Sequence, residues 1–333
     1  MLSLLVALPL SQASTTQGSG AGTQPPLALA ATIELPGVEG RIDHLAFDPE
    51  HEHLFIAALG NDTVEVVDVA AKRHLRSLRT PGEPQGILCL ADRDCVVFTS
   101  GAEGTCEVVA SDSLERVASV EVGGDADNLR YDARSGRVYV AWGDGALAIV
   151  DAGTWKRIGN VALDGHPESF QLDADGKRAY VNVPGAREVA VVDLETAKVT
   201  GTWKLDEAQQ NYPMAFVPTD STAPALLLVG CRSPAKLVAR SLPDGGRVAA
   251  LELSGDVDDV FWDARRRRVY CACGAGSVDV FERAESGFRT LAKVATASGA
   301  RTALFVPERD QLFVAVPHRE GQRAEVRVFD VKD

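Results

Sequence analysis

One short apolar strand recurs seven times along this chain, and that recurrence constrains the fold more than any other feature. It reads Leu54-Phe55-Ile56-Ala57-Ala58 at its first clear occurrence. Its counterparts centre on Val97, Tyr139, Tyr180, Leu227, Tyr270 and Phe313. Successive centres lie about 41 to about 47 residues apart, the period of a four-stranded blade in a radial repeat protein. Each unit repeats the same internal order. A lead-in strand ends near Asp48, Asp132, Asp173, Pro218, Asp263 or Pro307. A polar turn follows, then the near-continuous apolar strand expected of one buried on both faces. A Gly-rich loop leads to an alternating strand such as Val64-Glu65-Val66-Val67-Asp68, and a more polar fourth strand closes the unit. Polar residues on that last strand suit an outer edge that must not pair with another chain.

The ends of the chain support a closed ring. The last unit stops at Asp330-Val331-Lys332-Asp333, after its third strand. The missing fourth strand has a match at the other end: Ala30-Ala31-Thr32-Ile33-Glu34-Leu35-Pro36-Gly37 reads like Val248-Ala249-Ala250-Leu251-Glu252-Leu253-Ser254-Gly255 of the fifth unit. The expected fold is therefore all-β, a seven-bladed β-propeller closed by its N-terminal strand, over residues 30–333. No single blade buries both its faces, so the ring should fold as one domain.

The strand Phe55-Ile56-Ala57-Ala58, running through Asn61 to Thr63-Val64-Glu65-Val66-Val67-Asp68, resembles the YVTN β-propeller repeat. Tyr180-Val181-Asn182-Val183 with Val189-Ala190-Val191-Val192-Asp193 is a second match. The resemblance covers nearly all of the chain after residue 29 and is to the YncE-like group of exported bacterial propellers. It implies a binding module. Related architectures carry haem or quinone chemistry, but no C-x-x-C-H haem-attachment motif occurs here.

Residues 1–13 combine the apolar run Leu4-Leu5-Val6-Ala7-Leu8 with Ser11 and Ala13, the pattern of a secretory leader with cleavage after Ala13. Residues 14–29 read as a flexible linker. The expected location is periplasmic or secreted. A formal net charge of −13 argues against nucleic acid and anionic membrane surfaces as partners. The run Arg265–Arg268 reads as a solvated hairpin turn. The six cysteines show no C-x-x-C spacing and read as buried strand residues, with disulfides the alternative in an exported protein. The expected state is a monomer.

The segments leading into the innermost strands, and the loops joining second to third strands, should share one face of the ring. Asp43, Asp127, Glu168 and Asp258 take equivalent positions in four blades and should converge on the mouth of the central channel. Converging carboxylates repel one another, and a cation relieves that repulsion. Those four are the candidate metal ligands, with Asn128 suiting Ca2+ and His44 or His166 shifting the choice toward Zn2+. Trp142, Tyr212 and His318 complete the candidate ligand-binding set, the two aromatics for apolar or cation–π contacts. His51, His53 and His74 read as surface residues. The competing structural reading is that the four carboxylates merely cap turns.

Two functions follow. One is a non-catalytic exported module binding a small molecule, protein or glycan at this face. The other is a metal-dependent hydrolase or lactonase, with His44 or His166 as general base. A Ser-His-Asp hydrolase is unsupported, because no G-x-S-x-G elbow occurs.

Overall fold

The computed structural model describes residues 24–219, 224–285 and 287–333. They form seven four-stranded antiparallel sheets set in a ring. Blades 1 to 3 comprise Leu45–Asp48, His53–Ala58, Thr63–Asp68 and Arg73–Arg79; Pro84–Leu90, Cys95–Ser100, Thr105–Ala110 and Arg116–Glu121; and Ala126–Asp132, Arg137–Trp142, Ala146–Asp151 and Lys156–Ala162. Blades 4 and 5 comprise Phe170–Leu172, Arg178–Val183, Glu188–Asp193 and Lys198–Lys204, then Gln209–Val217, Leu226–Ser233, Ala235–Ser241 and Arg247–Glu252. Blade 6 is Val257–Asp263, Arg268–Cys273, Ser277–Ala284 and Gly287–Ala295. Blade 7 takes Ala303–Val306, Gln311–Val316 and Glu325–Val331 from the C-terminus and Leu27–Glu34 from the N-terminus.

The closing strand pairs antiparallel with Glu325–Val331, from Leu27 opposite Val331 to Glu34 opposite Glu325. It starts at Leu27, inside the stretch read as linker, because the Leu27 side chain is buried between blades 6 and 7. The expected leader, residues 1–13, lies outside the described residues, as does the start of the linker.

Why the second strands are apolar throughout is clear from the packing. Phe55, Val97, Tyr139, Tyr180, Leu227, Tyr270 and Phe313 are all buried, each in a blade covered on both sides by its neighbours. Among the described residues, hydrophobic clusters fill all seven blade interfaces. One joins blades 7 and 1 through Ile33, Phe313, Leu54 and Ile56. Another joins blades 4 and 5 through Tyr180, Met214 and Leu227. The cysteines are free; five are buried and Cys89 is half-buried. Cys89 faces Val96 rather than Cys95, so that hairpin does not set the pair opposite each other. No helix of the described residues is long and apolar enough to cross a membrane.

The aspartates that end the innermost strands do cap turns, as their sequence position suggests. Asp48 accepts from the Glu50 amide, Asp132 from Arg134, and Asp263 from Arg265 and Arg266. The arginine run is more than a solvated turn. Arg266 is nearly buried and donates to Asp263, Asp310 and Asp333, tying blade 6 to the C-terminal end of blade 7.

Candidate functional site at the channel mouth

At the opposite end of each innermost strand the ladder with the second strand is broken by one extra residue. In blades 2, 3, 5 and 6 the register slips at Gln85-Gly86, Asp127-Asn128, Tyr212-Pro213 and Asp258. Blades 1, 4 and 7 show the same feature in their backbone bonds. The Asp43 amide donates to the Ala57 carbonyl while the Ala57 amide donates to His44. Glu168 and Ser169 share Asn182 in that way, and the Ala315 amide donates to Thr302, the residue after Arg301. A bulge bends its strand and re-aims a side chain. The seven bulge residues are thus Asp43, Gln85, Asp127, Glu168, Tyr212, Asp258 and Arg301. All seven line the channel mouth.

The residue two places before the bulge forms a further tier. Glu83, Asp125, Gln210 and Asp256 hold it at positive φ, between 46° and 60°. Non-glycine residues adopt that conformation at a cost, and surrounding structure must enforce it. In blades 1 and 4 this tier supplies Arg41 and His166. Six of the bulge residues, with Arg41, Asp125 and His166 of this tier and Arg232, line a polar cavity of about 400 Å³. A narrower pocket adjoins it, reaching Asp43, His44, Asn128 and Ser169.

The wall is electrically divided. On one side Arg41 Nη2 meets Asp43 at 2.5 Å. Arg232 Nη2 and Arg301 Nε reach the two oxygens of Asp258 at 2.5 and 2.9 Å. Arg301 also bonds Asp256, and the Arg232 guanidinium lies 4.0 Å from the centre of the Tyr212 ring. On the other side stand Asp127 and Glu168, with His166 between Asp125 and Glu168. No arginine pairs with Asp127 or Glu168 among the described residues. Asp127 is 7% exposed, and its sole hydrogen bond there is a 3.4 Å contact from the Asn128 amide. His166 is oriented by its Nδ1, which lies 2.7 Å from the Gly143 carbonyl. A carbonyl only accepts, so Nδ1 carries a proton, and Nε2 lies toward Glu168, 3.8 Å away. One ligand atom each from Asp127, His166 and Glu168 lies within 4.8 Å of the others.

Proton affinities follow this division. Burial alone would raise Asp43, but the His44 imidazolium, 2.7 Å away, and Arg41 hold it at about 2. Burial would lower His44, yet Asp43, supported by Asp259 and Asp127, raises it to about 10. On the acidic side burial outweighs the nearby cations. Burial and the charge of Asp43 lift Asp127 to about 6. Burial and the carboxylates of Asp127, Asp258 and Asp43 lift Glu168 to about 9. Asp259, which accepts the Ala303 amide at 2.8 Å, is raised by burial to about 7. Beyond it, half-buried Arg130 bonds the Leu129 carbonyl and Ser169 and lies over the Phe170 ring.

Eight sequence-predicted residues therefore meet: Asp43, His44, Asp127, Asn128, His166, Glu168, Tyr212 and Asp258. Two do not join them. Trp142 packs over Gly123, whose missing side chain makes room for the indole, and its Nε1–H donates to Asn160 on the outer strand of blade 3. His318 pairs with Glu39 at 2.5 Å and lines a neighbouring depression of about 290 Å³ with Gly299 and Arg319. The four proposed carboxylate ligands also separate into two kinds. Asp43 and Asp258 face guanidinium groups, whereas Asp127 and Glu168 face His166. None of the four accepts a backbone amide among the described residues, unlike Asp48 or Asp263, so they do not cap turns.

Arg232 was not foreseen. It stands five residues after Leu227, as His318 stands five after Phe313 and Asp144 five after Tyr139. That count would have found it had blade 5 been less degenerate.

No family model matches the chain, and no curated protein matches it. Solved structures do. A chain of the Kuenenia stuttgartiensis hydrazine synthase aligns with a TM-score of 0.73 at 15% identity, covering 96% of this chain and 100% of that one. A chain of a mitotic checkpoint complex aligns with a TM-score of 0.77 at 13% identity, covering 100% of this chain and 99% of that one. At such identities the likeness carries the fold and nothing finer. Together with the seven sheets it makes this chain a seven-bladed β-propeller.

Proposed function

We propose that this protein is a non-catalytic binding module that holds a small polar ligand at the mouth of its central channel. The supporting observation is the seven-membered ring of bulge residues, which turns a periodic scaffold into a cavity with a basic wall and an acidic wall. A fold-only role would not require seven consecutive departures from the ladder, each aimed at one place. The YVTN-like repeats and the leader-like residues 1–13 support an exported, YncE-like protein, and a mature N-terminus near Ser14 in secreted material would test that. The test of binding is a thermal-shift screen of small anions, amino acids and sugar acids. Hits should raise the melting temperature of the wild type, since a ligand bound only to the native state stabilises it. They should fail with Arg301→Gln. Hits unaffected by that change would place the ligand elsewhere.

A second reading, metal-dependent hydrolysis of a lactone or ester, is favoured by the Asp127–His166–Glu168 grouping. His44 does not suit the role of base there, because Asp43 keeps it protonated at neutral pH. His166, whose Nε2 lies at the grouping itself, is the better placed of the two. Turnover by metal-supplemented protein, abolished by Glu168→Ala, would establish this reading; no turnover with any lactone or phosphoester would remove it.

A further inference from the structure

The mouth offers two unlike walls, and their chemistry goes further than a generic polar ligand. We propose that Asp127, His166 and Glu168 bind one divalent transition-metal ion, and that the ion shares a small anionic ligand with Arg41, Arg232 and Arg301. This rests on the channel mouth being the binding site.

Three observations carry it. First, the donor atoms lie within 4.8 Å of one another. Donors at about 2.1 Å from a common ion stand about 3–4 Å apart, so small side-chain rotations close the gap. Second, His166 is already set as a ligand. Its Nδ1 proton is held by the Gly143 carbonyl, leaving Nε2 on the side of Glu168. Metal-bound histidines are oriented by such an outer hydrogen bond. Third, Asp127 is a buried carboxylate on the cavity wall with no ion-pair partner among the described residues, although arginines pair with its counterparts Asp43 and Asp258.

One imidazole and two carboxylates suit a first-row transition ion. Ca2+ prefers an all-oxygen shell, so Zn2+ or Mn2+ fits better. Three protein ligands leave coordination positions open, and the cavity they open into is lined by guanidinium groups. Arginine donates and never accepts, so those positions favour an anion. Arg41 bonds through Nη2 alone among the described residues and keeps further donors for it. The shared chemistry is a carboxylate or phosphate oxygen on the metal with the rest of the anion on the arginines. The ammonium group of a zwitterion would donate to the same three acceptors without a metal, and the glycine titration below separates the two.

The experiment is calorimetric titration of the full chain, stripped by chelator at pH 7, with Zn2+ and Mn2+ alone. One ion per chain is expected. His166→Gln and Glu168→Gln should each weaken binding at least about tenfold, since loss of even an outer partner costs that much at a metal site. Co2+ gives a second readout. Its visible absorption reports nitrogen and oxygen ligation and should disappear with His166→Gln, whose folding is checked by its melting curve. Oxalate and inorganic phosphate are then titrated with and without metal. Binding at least about tenfold tighter with metal is expected, with Arg301→Gln losing the anion and keeping the ion. No metal binding, or metal binding unchanged in Glu168→Gln, overturns the proposal. Anions bound equally well without metal, or glycine bound by the metal-free protein through Arg301, would also overturn it while leaving the mouth as a binding site. Failure of every probe would count against both.

Discussion

His44 illustrates how one residue's behaviour is set by neighbours far away in sequence as well as by the one beside it. Asp43, Asp259 and Asp127 hold its imidazolium at about 10, above its ordinary value of 6.5. Its stabilising contribution is therefore complete below pH 6.5 and is lost as pH rises through about 10. Urea unfolding between pH 8 and 11 should show wild type losing stability faster than His44→Gln; parallel curves would contradict the pairing. Asp259 gives the opposite kind of test. Burial raises its carboxyl from 3.8 to about 7, so its share of stability is full below 3.8 and declines as pH climbs through 7. Asp259→Asn keeps an acceptor for the Ala303 amide and stays neutral. Its stability relative to wild type should rise between pH 5 and 8, and a constant difference would argue against the shift.

At the scale of the strand, the third strands hold a feature that alternation alone does not disclose. Glu65, Glu107 and Asp279 occupy one position in blades 1, 2 and 6, and all are buried. Each is satisfied by a hydroxyl two residues before it, Thr63, Thr105 or Ser277, and by partners on or beside the outer strand. In blade 1 those partners are Ser77 and His74, both 2.6 Å from Glu65. His74 is accordingly not the free surface residue its polar strand suggests. Glu65→Ala would leave the His74, Ser77 and Thr63 donors without their acceptor. A loss of about 1–3 kcal/mol is expected from urea unfolding, the cost of unsatisfied buried polar groups. A change within a few tenths would show that solvent takes over the carboxylate's role. Bulges are the other strand-scale device, and they convert the innermost strands from ladder members into holders of the mouth.

For the whole ring, stability depends on closure. Leu27 and Ile33 of the closing strand are each 2% exposed, and burying such side chains contributes about 1.5–3 kcal/mol apiece. Removing residues through Glu34 should therefore cost about 3–6 kcal/mol from those two alone and expose the edge of blade 7. An unchanged urea midpoint in the truncated protein would mean that blade 7 does not need its fourth strand. Interior packing at the same interface is tested by Leu54→Ala, expected to cost about 2–5 kcal/mol for a fully buried leucine.

The ring itself was legible in the chain because its causes are local and repeated. Seven apolar strands at one period, polar fourth strands and a terminal mismatch each follow from burial on two faces, one face or an open edge. The carboxylates at four equivalent positions were legible for the same reason, since equal positions in a closed ring must converge. What lay beyond the sequence depended on partners brought from other blades. Only the ring sets Arg232 and Arg301 against Asp258 and leaves Asp127 and Glu168 to His166. Only the packing of Gly123 turns Trp142 outward, and only the ring brings Glu39 to His318. Periodicity determines where a residue stands along its strand. The charge it faces across the channel is decided by three-dimensional closure, because electrostatic partners are chosen by distance in space and not by separation along the chain.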